Sequence, residues 1–361
     1  MPRAELPELP GVLDGAALRR TVATIAAEQG RDGSLPWFRG GQLDPWDSIE
    51  AAMALDVGGE HARAAAAYRW LAARQRADGS WAAEYRDGAE TQPAVESNHA
   101  GYLAVGAWHT WLASGDERLV TELWPAVRRG LDLVVDMQLA SGAVSWALRP
   151  DGTPDDTALL TGNASLFQAL RCGIGLAGLV GEAQPDWELA VTGLGTALRT
   201  DPDAFADRSR WSMDWYYPVL AGAVTGEPAR SRLAADRDRF VVPGLGARCV
   251  ADHPWVTGAE TCELALALVV AGQPDAALEQ VAAMQHLRHD DGSYWTGFVY
   301  PDDAYWPVER TTWTAAAVVL AADALSGATP ASGLFADPAA LPAPGTADTG
   351  SLPPITGRVQ R

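Results

Sequence analysis

The chain has 361 residues, 48% of them hydrophobic, and a formal net charge of −19. That length is enough to bury a full core, in one large domain or two ordinary ones, while the acidity argues against a nucleic-acid or anionic-membrane surface, both of which need a basic face. No apolar run approaches the roughly 18 residues of a bilayer span, and three sparse cysteines, Cys172, Cys249 and Cys262, fit a reducing cytoplasm without a disulfide frame.

The opening MPRAELPELPGVLDG lacks the basic-then-apolar layout of a secretory signal. After it, almost nothing alternates as a strand would. Helical periodicity predicts twelve helices, at 15–29, 45–57, 60–75, 94–113, 116–138, 162–181, 185–199, 215–225, 228–240, 258–271, 274–285 and 307–325. Residues 327–361 are rich in Pro, Ala and Gly and carry no period. They read as a C-terminal tail, leaving 1–326 as a single domain.

Two asymmetries organise the helices. The odd ones are amphipathic, as in EHARAAAAYRWLAARQ and DERLVTELWPAVRRGLDLVVDMQ, whereas the even ones, such as CELALALVVAG and TAAAVVLAADAL, are apolar nearly all round. A helix apolar on every side is surrounded by protein, so the even helices belong inside and the odd ones outside. Connections leaving even helices are short (SGDE, TGEP, AGQP), and those entering them are long and aromatic (DGSLPWFRGGQL, HLRHDDGSYWTGFVYPDDAYW). Six hairpins with one elaborated end imply an all-α fold, an (α/α)6 toroid. A repeat marks the outer helix ends: Gln29 to Gly33, Gln75 to Gly79 and Trp81, Gln138 to Gly142, and Gln285 to Gly292. Here Gly is expected to stop the helix in the left-handed region, with Gln and Trp tying the end to the next loop.

The even helices open with Asp44, Asp47 and Glu50; Glu96, Asn98 and His99; Thr161, Asn163 and Ser165; Asp214, Trp215 and Tyr216; Glu260 and Glu263; and Glu309, Arg310 and Thr311. In a toroid these first turns ring one cavity. Taken singly, many of the acids are explained as caps: Asp44-Pro45-Trp46-Asp47 has the N-cap pattern and Thr257-Gly-Ala-Glu260 the capping-box pattern. Caps do not require aromatic neighbours, however, and Asp47 has Trp46, Asp214 has Trp215 and Tyr216, and Asp302 and Asp303 have Trp306.

Carboxylates beside aromatic faces suit a carbohydrate, whose apolar ring face stacks while acids hold its hydroxyls. Two carboxyls also perform glycoside hydrolysis, one protonating the leaving oxygen and the other activating water or attacking carbon. Asp47 and Glu260, in first turns two places apart round the ring, are the expected catalytic pair, with an inverting outcome favoured. Trp46, Glu50, Glu96, His99, Asp214, Trp215, Tyr216, Trp306, Glu309 and Arg310 are the expected substrate contacts. His286 and His289 lack thiolate partners, Ser165 and Ser212 lack an evident His–Asp pair, and no phosphate loop is present, so no metal or cofactor is expected.

Two toroid families share features with the chain. QRADGSW and QHLRHDDGSYW resemble the glutamine–tryptophan repeats of squalene and hopene cyclases, but the Asp-x-Asp-Asp motif of class II cyclases is absent, as is the Asp-Asp-x-x-Asp of ionisation-type cyclases. Over residues 15–325 the chain resembles six-hairpin glycoside hydrolases. The hairpin from Gly101 through Trp111, Asp116 and Trp124 looks like that of glucoamylase-like enzymes, and DPWDSIEAAMAL looks like their inner-helix opening. More narrowly, the chain resembles the actinobacterial methylmannose polysaccharide hydrolases. That resemblance implies an intracellular endo-α-mannosidase acting on a 1,4-linked, partly methylated mannan. The alternatives are a terpenoid cyclase or prenyl-transferring toroid, and a toroid that binds or isomerises sugar without hydrolysis.

Overall fold

In the computed structural model, residues 6–337 and 341–342 are described. Its helices are α1 Gly15–Glu28, α2 Pro45–Val57, α3 His61–Arg74, α4 Ser97–Ser114, α5 Glu117–Asp136, α6 Leu160–Val180, α7 Pro185–Thr200, α8 Ser212–Leu220, α9 Gly226–Ala235, α10 Arg237–Phe240, α11 Gly258–Val270, α12 Pro274–Ala283, α13 Thr312–Ser326 and α14 Gly333–Ala336. Each of α2, α4, α6, α8, α11 and α13 packs on the next, and α13 returns to α2, closing an inner ring. Around it α1, α3, α5, α7, α9 and α12 lie against their inner partners. This is an (α/α)6 toroid.

Composition explains the layering. Every residue of α2 except Asp47 is buried, as an all-apolar helix requires. By contrast α5 buries only a stripe, including Leu119, Leu123, Val127, Leu131 and Val134, and turns its charges to solvent.

Several helix ends differ from expectation. The helix expected at 307–325 starts at Thr312, because Thr311 is its N-cap and the side chain accepts from the Thr314 amide. The one expected at 215–225 runs from Ser212 to Leu220, with Gly222 at φ +73° just beyond it. The one expected at 228–240 breaks at Asp236 into α9 and α10.

In three of its four copies the repeated Gln–Gly element is a clamp between neighbouring outer helices; in the fourth, Gln285 Nε2 donates to the Val281 carbonyl of its own helix. Gln75 Nε2 donates to the Gly79 carbonyl (3.0 Å) in its own turn and to the Ala126 carbonyl (2.9 Å) of α5. Gln29 reaches Gly33 and Arg63 in the same way, and Gln138 reaches Gly142 and Ala190. The glycine is not the helix stop that was expected. Gln75 itself ends the helix in extended conformation, and Gly79, at φ +90°, lets the turn press on α5, where a Cβ would lie 2.2 Å from the Arg129 carbonyl oxygen.

Strands, almost unforeseen, occupy the long connections entering inner helices. β1 Glu84–Arg86 pairs with β2 Ala89–Gln92, and β3 Val95–Glu96 pairs with β4 Ala147–Leu148. Five more, β5 Val241–Val242, β6 Gly246–Arg248, β7 Trp255–Thr257, β8 Gly297–Val299 and β9 Ala304–Tyr305, form one antiparallel sheet in chain order. Pieces of two to four residues are too short to show a two-residue period. Together they thicken the end of the toroid where the inner helices begin.

The segment after Gly327, expected as an unperiodic tail, packs at the opposite end as far as it is described. Leu334, Phe335 and Leu341 are buried. Asp323, near the C-terminus of α13, accepts from the Thr329 amide and hydroxyl, and Arg171 donates to the Leu341 and Pro342 carbonyls. The remainder of the expected tail lies outside the described residues.

Candidate active site

A cavity of about 510 Å³ opens where the inner helices start. Its lining includes Asp44, Trp46, Asp47 and Glu50 from the start of α2; Glu96, Asn98 and His99 from that of α4; Thr161 from α6; Asp214 from α8; and Glu260 and Glu263 from α11. Acids about two hundred residues apart in sequence thereby share one hollow.

The local fold separates capping from the remaining acids. Asp44 caps α2, its Oδ1 accepting from the Asp47 amide at 2.9 Å, while its Oδ2 accepts from Trp37 Nε1 at 2.8 Å. Asp47 is therefore not needed as the cap and stands on the cavity side of its helix. At α11 the expected capping box does not form: Thr257 makes no side-chain cap bond. Glu260 Oε2 is buried without a hydrogen-bond partner in the protein. One turn further down, Glu50 Oε1 accepts from Trp46 Nε1 (2.7 Å) and the Tyr102 hydroxyl (3.1 Å), and Glu263 Oε2 accepts from the Tyr216 hydroxyl.

The electrostatics follow from crowding acids in a dry place. Desolvation within the cavity, where Asp47 is half-buried, lifts its carboxyl well above the usual range, and the charges of Asp44 and Glu50 add to it. Burial pushes Glu50 up to about 7, against the opposing hydrogen bonds from Trp46 and Tyr102. Glu263 is raised by burial and then by Glu50. Asp214 is raised by burial, with Thr161 donating to it in opposition through its amide and hydroxyl (2.6 Å from the latter). Among the described lining residues Arg208 is the one Lys or Arg, while His99 Nε2 stands 3.9 Å from Asp44 and 4.0 Å from Glu96. Trp37, Trp46, Trp211 and Trp313 supply the aromatic walls. The arrangement offers a proton held near neutral pH, carboxylates for hydroxyls or water, and flat apolar surface for a sugar ring.

Comparison with known proteins places this geometry. No family model matches the chain. An MMP endo-(1,4)-3-O-methyl-alpha-D-mannosidase from Mycolicibacterium hassiacum is 52% identical to it over 330 residues, covering 91% of this chain and 92% of that protein. The chain belongs to this mannosidase family. It is accordingly a glycoside hydrolase, which decides against the cyclase and the non-hydrolytic toroid. Solved structures agree on the fold. A wild-type glycosidase superposes with a TM-score of 0.69 at 14% identity, over 87% of this chain and 96% of that one. A rhamnosidase from Klebsiella oxytoca with rhamnose bound gives 0.62 at 17% identity, over 88% and 65%.

Of the residues singled out in the hydrolase's sequence, Asp47, Glu260, Trp46, Glu50, Glu96, His99 and Asp214 line the cavity. The others stand elsewhere. Trp215 follows Asp214 by one residue, about 100° round the helix, and so points outward: its Nε1 donates to the Arg232 carbonyl and its ring stacks on Phe240. Tyr216 lies beneath the floor, holding Glu263. Trp306 is 55% exposed against Trp255, outside the cavity. Glu309 and Arg310 precede α13 rather than starting it, and line a separate surface groove. There Arg310 is tied to Asp291 and Ser293 and lies over the Trp295 ring. His286 and His289 are engaged with the Leu245 carbonyl and with Arg310 and Asp291 respectively.

Sequence reasoning passed over Trp37, Trp211, Trp313 and Arg208 as lining residues. Glu263 was already on the expected ring, one turn after Glu260; Arg208 had no signal.

Proposed function

We propose that the enzyme is an endo-acting α-mannosidase that hydrolyses internal 1,4-links of a partly 3-O-methylated mannan in the cytoplasm, with Asp47 as general acid and Glu260 as general base. The observation that carries this is the meeting of Asp47 and Glu260, from the first turns of α2 and α11, in one aromatic-walled cavity of a chain 52% identical to a 3-O-methylmannosidase. Desolvation and negative neighbours raise the Asp47 carboxyl, the direction a general acid requires. Glu260 Oε2, buried and without a protein partner, is the kind of group that takes its partner from substrate or water.

In the reaction Asp47 gives its proton to the glycosidic oxygen as the C1–O bond breaks. Water attacks C1 from the opposite face, and Glu260 accepts its proton. The products are a chain ending in inverted, β-configured mannose and a chain with a free 4-hydroxyl. The tryptophan walls receive the apolar sugar face and the O-methyl groups, which an acidic protein tolerates because the substrate is uncharged. Buried free thiols at Cys172, Cys249 and Cys262 support the cytoplasmic location.

The test uses α-(1,4)-linked 3-O-methylmannose oligosaccharides, with products sized by mass spectrometry and their fresh anomers read by proton NMR. Internal cleavage giving β product is expected, and Asp47→Asn or Glu260→Gln lowers kcat by about 10²–10⁴ without unfolding the protein. Near-wild-type turnover by both variants would overturn the assignment; an α product would replace inversion with retention.

A further inference from the structure

Beneath the proposed catalytic pair lies a second pair with the same spacing. Glu50 follows Asp47 by three residues on α2, and Glu263 follows Glu260 by three on α11, so each lower carboxyl sits one turn under an upper one. Glu50 is 5% exposed, as is Glu263. Neither meets a cation among the described residues. Glu50 is held by Trp46 and Tyr102, and Glu263 by Tyr216, all neutral donors. No step of the proposed hydrolysis uses them.

Resting on the Asp47 assignment above, we propose that Glu50 and Glu263 are positioning residues, a lower tier that carries one negative charge between them at neutral pH and thereby keeps the proton on Asp47. The groups facing this tier are Asp44, Asp47 and Trp46 from α2 and its cap, Glu96, His99 and Tyr102 from α4, Asp214, Tyr216 and Tyr217 from α8, Glu260 from α11, and Cys249 and Arg208 from the adjoining loops. Arg208 is the one fixed cation in that set, and it lies toward Asp214. Two like charges in a dry site without a counter-ion do not both persist, so one member of the tier retains its proton. The charge that remains favours the protonated form of Asp47 directly above it, with Glu50 and Glu263 both acting on Asp47 in this sense.

A shared charge makes a non-additive prediction. Either single substitution, Glu50→Gln or Glu263→Gln, leaves one carboxyl, which takes the whole charge. The amide oxygen still accepts from the same donors. The alkaline limb of the kcat/KM profile, which reports the acid, therefore moves little in each single variant and falls by about one pH unit in the double variant. KM on a short methylmannose oligosaccharide changes less than kcat at alkaline pH. A limb that stays put in the double variant, or single variants that each shift it by half of the double effect, would overturn the proposal.

Should the double variant fail to fold, ¹³C NMR of glutamate-labelled wild-type enzyme decides the matter. One glutamate carboxyl remains protonated at neutral pH, and that signal is lost in each single variant. A wild-type enzyme with every glutamate ionised at neutral pH refutes the shared charge. Asp47→Asn separates the two assignments. If its alkaline limb persists, Asp47 is not the acid, and the NMR count still tests the tier by itself.

Discussion

Replacing Glu50 by Gln should stabilise the enzyme, and increasingly so as pH rises. The carboxyl moves from 4.5 in an exposed chain to about 7 in the fold, chiefly through burial. The folded state therefore binds the proton more tightly than the unfolded one. The stability this confers is fully present below the unfolded value of 4.5 and is lost as pH climbs through about 7. At about 1.4 kcal/mol for each pH unit between the two values, the loss totals about 3 kcal/mol. Glu50 is buried, so solvent screening does not discount this figure. Gln cannot ionise and keeps an oxygen for the Trp46 and Tyr102 donors. The difference in unfolding free energy between Glu50→Gln and wild type should then grow by about 2.5 kcal/mol from about pH 5 to about pH 8, the rest falling below pH 5. Urea titrations of both proteins across that range measure it; groups remote from Glu50 cancel in the difference, and the relief of Glu263 and Asp47, whose carboxyls the Glu50 charge raises, adds to the gain of the variant. A difference flat to within about 0.5 kcal/mol would show that Glu50 ionises normally in the fold and would refute the reasoning.

Two further outcomes follow from other parts of the molecule. Gln138→Ala removes both bonds of one outer-ring clamp, to the Gly142 and Ala190 carbonyls at 2.8 and 2.9 Å. It should cost about 1–3 kcal/mol in urea unfolding with kcat intact; an unchanged midpoint would mean that the clamps are ornamental. Trp37→Phe keeps an aromatic wall but deprives Asp44 Oδ2 of its 2.8 Å donor. A five- to tenfold loss of kcat/KM is expected, equivalent to about 1–1.5 kcal/mol, and steady-state kinetics on the methylmannose oligosaccharide checks it.

Much of the cavity lining was legible because first-turn acids recur at one end of successive apolar helices, more often than capping alone requires. Asp47, Glu50, Glu96, His99, Asp214 and Glu260 all reach the cavity. The failures share a cause. Aromatic–acid adjacency along the chain was used as a guide, but adjacent residues on a helix point about 100° apart, so Trp215 packs outward on Phe240 while Asp214 faces in. Of the tryptophans that line the cavity beside Trp46, Trp37 sits in the loop before α2, and Trp313, far away in sequence, is brought next to it by the bond from the Thr312 amide to the Trp37 carbonyl. Glu309 and Arg310 were misjudged by helix boundary, since α13 starts at Thr312 with Thr311 as its cap.

The sequence by itself determined the toroid, because period, polarity and loop length are local quantities. Helices apolar all round must go inside, amphipathic ones must cover them, and short connections on one side force the long ones to the other. Which acids meet, and in what state, was decided only by tertiary structure. Whether a carboxyl caps a helix, as Asp44 does, or is lifted to about 7 by burial, as Glu50 is, depends on donors and charges from several inner helices and their loops. No stretch of chain contains that information, because desolvation is a property of the assembled surroundings and not of the residue.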